Sequence, residues 1–506
     1  MQTKVNAPTA QILPFQQALR PALPTVLGNV DYQQFSDQLH WIDRILRESG
    51  AEDLFVRLSL ERFFEQAQSR NKVVEQKAVC KHQRHSFRAL RSLVLLQLLG
   101  ESFRGMSRRL AECALFRWFC GMEELAVVRV PGKSTLQEYS RWLEPEKLRL
   151  IVNRVLMAAS QKEVLGKPRW DLANEIELDT IWVDTTCVKA NIHFPVDWIL
   201  LRDGTRTLMK ATKLIRAHGL KHRMEPPEEF MKQMNRLSIQ MSQCRRRPDS
   251  KKQRKKTLRL MKKLVKVMAA HARRHRELLD QQWEQTDWTR AQTEVVLKRI
   301  DHVLELLPRA QKQAHERIIG ERAVPNEQKI LSLYETEARV IIRGKAGAEI
   351  EFGNTLVLAE QADGLILDWE FHEKQAPAEP QQILPSIQRI QETHGRIQAI
   401  CTDRGCESKA NNQWLEQNNI YNGLCPKNPQ ALQKRMKEKR FLQLQQRRSQ
   451  TEGRIGILKN KFLGKPLRAK RYQGRAASIG WSILAHNLWV LARLPRLEKA
   501  AAQKAA

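Results

Sequence analysis

The chain has 506 residues, enough for two to four domains and a large buried core. Its 87 Lys and Arg against 55 Asp and Glu leave a formal charge of +32, which points to a polyanionic partner and argues against an acidic or neutral housekeeping surface. The eight cysteines form no Cys-x-x-Cys pair, which excludes the usual zinc-ribbon spacing and favours buried free thiols in a reducing compartment.

The first 30 residues are rich in Pro and Gln and are expected to be a flexible N-terminus without the pattern of a signal peptide. Residues 31–170 read as consecutive helices. The cluster Leu90, Leu93, Leu96, Leu98, Leu99 ends on Gly100 as a C-cap. The segment 103–119 reads as one amphipathic helix, and Ser134-Thr135, after a Pro131-Gly132 turn, read as the N-cap pair of the next. A helix, a turn and a capped helix fit a DNA-reading helical domain and fit an ordinary helical bundle equally well; the charge favours DNA.

Residues 171–204 change to β character around Ile181-Trp182-Val183-Asp184, an apolar run ending on a carboxylate. Glu177, Asp179 and Asp197 are nearby rivals. A basic helical insertion is expected over 205–328. Its core, 245–276, carries Arg245, Arg246, Arg247, Lys251, Lys252, Lys255 and Lys256 above an apolar stripe of Leu260, Leu264 and Met268. Charge of nearly one sign over a helical hairpin or coiled coil reads as a phosphate-contacting arm.

The segment 329–475 returns to β and mixed character. Four short strands are expected at KILSLYE, ARVIIRG, NTLVLAE and LILDWEF, the last two joined by a turn at Gln361–Gly364. Then come a helix from Pro380 to His394, a strand Ile397–Thr402 ending on Asp403, a helix at Ser408–Gln417, a strand Ile420–Leu424 and a basic helix with Glu452. An apolar helix closes the chain over 476–506. The fold class expected is α/β: a mixed-sheet, ribonuclease H-like catalytic domain interrupted after its first strand, preceded by an all-helical DNA-binding domain. Two Asp at ends of adjacent strands and one Glu suit Mg²⁺, which takes oxygen ligands and a few carboxylates. Two such ions about 4 Å apart can activate a nucleophile and stabilise a leaving oxygen on a phosphodiester. No P-loop, HExxH, GxSxG or dinucleotide fingerprint competes.

At 184–197, 324–335, 345–368, 401–406 and 452–462 the chain resembles bacterial insertion-sequence transposases of the DDE superfamily, most closely the ISNCY type, with the group-five insertion sequences as relatives. The segment Asn191-Ile192-His193-Phe194-Pro195 carries the most specific part of that likeness. The resemblance implies a triad of Asp184, Asp403 and Glu452, two Mg²⁺ ions (replaceable by Mn²⁺), and binding of transposon terminal inverted repeats and target double-stranded DNA. It also implies cleavage and strand transfer by a homo-oligomer on DNA, in the bacterial cytoplasm at the nucleoid, with no membrane association. Arg448, Glu452 and Lys459 match part of the family's Tyr-Arg-Glu-Lys signature, which makes Arg448 and Lys459 expected DNA contacts, while Gln445 stands at the Tyr position. A non-catalytic or domesticated DNA-binding protein, and a structure-specific nuclease of the same fold, are the alternatives.

Overall fold

A computed structural model of the chain describes residues 20–122, 127–163, 166–244, 249–345, 348–464 and 467–497. The expected flexible stretch 1–19 and the basic triplet Arg245, Arg246 and Arg247 lie outside the described residues. Among the described residues no helix is long and apolar enough to cross a membrane.

The chain is α/β, with six strands in one mixed, open sheet. It divides into two compact units, one of residues 1–188, 355–372 and 376–506, the other of 189–354 and 373–375. In the larger unit, helices α1 (Val30–Glu48), α2 (Ala51–Ser69), α3 (Gln76–Leu99), α4 (Phe103–Glu112), α5 (Ala114–Phe119), α6 (Lys133–Tyr139) and α7 (Pro145–Ala159) precede strand β1 (Thr180–Lys189). Gly100 caps α3 in the left-handed region, at φ +63°, where glycine carries no Cβ penalty. The single helix expected over 103–119 is broken at Cys113, whose backbone is extended; the Arg117 guanidinium donates to the Ala111 carbonyl and satisfies the end of α4. The expected cap at Ser134-Thr135 is corrected too, since α6 starts one residue earlier from Gly132 without a side-chain cap.

The smaller unit holds α8 (Asp197–Ala217), α9 (Pro227–Gln243), α10 (Ser250–Gln282) and α11 (Arg290–Ile318), then β2 (Arg339–Lys345) and the start of β3 (Ala348–Glu360). The four helices pack on one another around a core that includes Leu201, Leu208, Met234, Met261, Val265, Ile300 and Leu307. The expected stripe on α10 is shifted: Leu258, Met261, Val265, Met268, Ala272 and Leu279 are buried, while Leu260 is exposed. Packing against three helices demands a wider apolar face than a two-helix seam does. No strand forms at Lys329–Glu335. There the Gln313 side chain donates to the Ile330 carbonyl at 3.1 Å and accepts from its N–H at 2.7 Å, taking both backbone groups that a strand would pair.

Back in the larger unit, β3 pairs antiparallel with β4 (Ile366–Phe371) through the turn at Gln361–Gly364. Next come α12 (Glu379–His394), β5 (Ala399–Thr402), α13 (Lys409–Gln417), β6 (Tyr421–Leu424), α14 (Pro429–Arg435), α15 (Lys439–Ile457), a π-helical turn Leu458–Leu463 and α16 (Arg471–Arg493). Strands β3, β1, β5 and β6 are successive neighbours, and β1–β5 and β5–β6 are parallel. Residues of α1–α7, β1, β3–β6, α12 and α16 share one apolar core. Within it Arg149 of α7 bonds to the buried Asp368 of β4, so the N-terminal helices are tied to the sheet by charge as well as by burial.

Candidate active site

The central strands align the two aspartates. In the parallel pair β1–β5, Trp182 lies opposite Cys401. Two residues further along each chain stand Asp184 and Asp403, on the same face because side chains repeat every two residues. Asp403 directly follows β5, as expected. Asp184 does not end its strand: β1 continues through Thr185-Thr186-Cys187-Val188 to Lys189, a run of β-favouring residues that stays in the sheet.

That face is crossed by α15. The Trp182 indole donates to the Leu444 carbonyl at 2.9 Å, and the Cys401 thiol approaches the same carbonyl at 3.5 Å. Gln445 donates to the carbonyls of Thr402, at 3.2 Å, and Gly423, at 2.8 Å, at the ends of β5 and β6. Beyond the helix, Lys459 donates to the Thr186 hydroxyl at 3.1 Å and to the Cys187 carbonyl at 2.8 Å. Gln445, Arg448 and Glu452 follow one another at three- and four-residue spacing, on one helix face. Glu452 follows the buried Thr451 and so stands at the edge of the sheet-facing row, in sequence between the anchor on β5 and the anchor on β1. Its side chain is 59% exposed, and Arg448 stands 3.7 Å away. A second set of bonds fixes the helix's rotation. The buried Glu360, at the end of β3, accepts from Arg447 at 2.5 Å and from Thr451 at 2.8 Å, while the Arg447 guanidinium covers the Trp182 ring.

Helix α15 runs unbroken through Gly453 and Gly456, and a Cβ at either position would meet nothing within 4 Å. This side of the helix is thus open for a bulky partner to approach closely.

Sequence reasoning missed Glu379. It is the first residue of α12 and is followed by Pro380, so its position reads as an ordinary first-turn acid. Its carboxylate accepts the Thr185 hydroxyl at 2.9 Å, next to Asp184. Among the described residues, Glu379, Asp403 and Cys406 form the one group of potential ligand atoms lying within 4.8 Å of one another; Asp184 and Glu452 are outside it. Burial, together with the charges of Asp403 and Glu379, pushes the Cys406 thiol well up. The group thus offers two carboxylates and one buried thiol. Asp403 also caps the following turn by accepting the Gly405 N–H at 3.0 Å.

The rivals separate by their partners. Asp197 is buried at the start of α8, where Arg317 and Gln313 hold its carboxylate. Asp179 receives the hydroxyl of Thr180. Among the expected arm cations, Lys251 and Lys255 both face Glu321, at 3.7 and 2.8 Å. Lys252 and Lys256 are exposed on α10. Comparison of the chain with protein-family models, curated proteins and solved structures gives no match.

Proposed function

We propose that this chain is a DDE-type DNA transposase with a ribonuclease H-like catalytic domain, acting on the ends of an insertion sequence. The reading rests above all on one arrangement: Trp182 and Cys401 pair in register on the parallel strands β1 and β5, each two residues before an aspartate, and α15, which carries Glu452, crosses the same strands. That element order and strand pairing is what the resemblance to insertion-sequence transposases leads one to expect.

In this reading Asp184, Asp403 and Glu452 would hold two Mg²⁺ ions, which when bound would activate a water or 3′-hydroxyl and offset charge on the leaving oxygen. The protein's own part is positional. The hydrogen bonds of Gln445 and Lys459 tie α15 and the turn after it to β5 and β1, which would orient Glu452 toward the aspartates when metal is bound. The residual positive charge of the chain draws the DNA backbone to the site.

The test is DNA cleavage and joining by the purified protein, on duplex carrying the sequences that flank its gene, with Mg²⁺ or EDTA. Mg²⁺-dependent nicking with joined product is expected, as is its loss in Asp184→Asn, Asp403→Asn and Glu452→Gln with DNA binding retained. Nicking without any joined product would point to a nuclease of the same fold. An Asp403→Asn protein as active as wild type would overturn the site.

A further inference from the structure

In the smaller unit, a groove of about 330 Å³ opens between α10 and α11. Its floor is apolar, made by Val265, Ala269, Leu304, Leu307 and Pro308. Its rim is cationic: Lys262, Lys263, Lys266 and Arg273 border it, and no acid does. Pro308 lies inside α11 and has no N–H to offer the carbonyl one turn back, so the helix cannot close tightly over this point.

Lys252 and Lys256 on the same helix are exposed like these cations, whereas others on the unit are paired. Lys251 and Lys255 share Glu321, Arg276 is held by Asp280 and Asp301, and Lys213, Lys232 and Lys298 each face a glutamate. Lys263, Lys266 and Arg273 are exposed and have no ion-pair partner among the described residues, and Lys262 meets only the His315 ring, at 3.2 Å. Lys262, Lys266, Ala269 and Arg273 fall in one row along the helix. Eleven residues at 1.5 Å each make that row about 16 Å long, enough to reach more than one phosphate of a DNA backbone.

We infer that this groove is a DNA-backbone site, in which Lys262, Lys263, Lys266 and Arg273 bind consecutive phosphates of a duplex. The inference rests on the proposed function for its choice of polyanion, and it moves the centre of the basic arm from Lys251 and Lys255, already neutralised by Glu321, to the groove. An unpaired row of like charge repels itself in the free protein, and a phosphate track relieves that repulsion.

The experiment measures duplex binding by the full chain in EDTA, where no strand is cut, at a series of salt concentrations. Lys263→Gln/Lys266→Gln/Arg273→Gln should lower the slope of log affinity against log salt by roughly two to three, at about 0.9 per phosphate contact. The control Lys213→Gln/Lys232→Gln/Lys298→Gln removes the same charge from paired positions and should leave the slope unchanged. A wild-type slope in the groove variant, or an equal fall in the control, overturns the groove site while leaving the proposed catalytic function standing. Wild-type protein that shows no salt-dependent DNA binding overturns both. Melting curves matching wild type establish that both variants fold.

Discussion

Lys459 donates to the Thr186 hydroxyl at 3.1 Å, two residues along β1 from Asp184. In the family signature this lysine reads as a DNA contact, but its ammonium here also meets the Cys187 carbonyl at 2.8 Å and so holds the end of α15 to the central strand. Lys459→Met should therefore lower the cleavage rate about 10- to 100-fold, the usual range for a residue that orients a metal ligand, and leave the salt dependence of DNA binding unchanged. A slope lower by about one would instead make Lys459 a phosphate contact.

Glu379 stands within 4.8 Å of Asp403 and shares a hydrogen bond with Thr185. If Mg²⁺ binds Asp403, Glu379 adds negative charge beside it. Glu379→Gln keeps the hydrogen-bond acceptor for Thr185 and removes that charge. The Mg²⁺ concentration giving half-maximal cleavage should rise about tenfold, with the rate at saturating Mg²⁺ nearly unchanged. An unaltered Mg²⁺ titration would leave Glu379 as a capping acid of α12.

Much of this site can be read from the sequence because a strand ending on an acid is a local pattern. Asp403, β5, β6 and α12 follow from alternation and from helix-period apolar residues within a few positions of one another. What escapes is what depends on distant partners. Glu379 becomes a neighbour of Asp403 only when α12 packs beside β5. Lys329–Glu335 has the composition of a strand, yet the Gln313 amide, from α11, occupies the Ile330 backbone. Asp184 looks like a strand end because it interrupts an apolar run, but pairing in the sheet, not hydropathy, decides where β1 stops. Gln445, the one departure from the family signature, bonds to two strand-end carbonyls, which no helical periodicity could reveal.

Arg91 is fully buried in α3, and its guanidinium is shared by Asp43 and Glu52. Burial alone would raise the Asp43 carboxyl, but the Arg91 and Arg20 charges outweigh it and hold the group below its usual value. Glu52 is raised, chiefly by burial. Arg91→Met leaves two carboxylates in the core without their main partner and should destabilise the larger unit by about 3–5 kcal/mol. Changing all three residues together to apolar ones should cost much less than the single change. Denaturant unfolding of the single and triple variants checks this, and equal losses would show that the network acts only through its volume.

Acid should weaken the protein well before its carboxylates titrate. Burial pushes His486 down to about 3, and His82 and His394 to about 4, from an ordinary value of 6.5. Each is neutral in the fold and takes up a proton once unfolded below pH 6.5. Between pH 6.5 and the folded values the unfolded chain binds more protons, so stability rises with pH, is fully present above 6.5 and is lost as pH falls toward 4 and 3. His486 is the sharpest case: it lies in α16 against Phe462 and Trp489, with one ring nitrogen 3.2 Å from the Asn487 side chain. Asn487 in turn bonds both backbone groups of Ile366 in β4, so protonating His486 strikes where the terminal helix meets the sheet. His486→Phe keeps an aromatic ring and removes the titration. Near pH 5 its unfolding free energy should depend on pH less steeply than wild type's by about 1.4 kcal/mol per unit, one proton's worth. An unchanged slope in the variant would mean that water reaches the His486 ring and that its charge is tolerated in the fold.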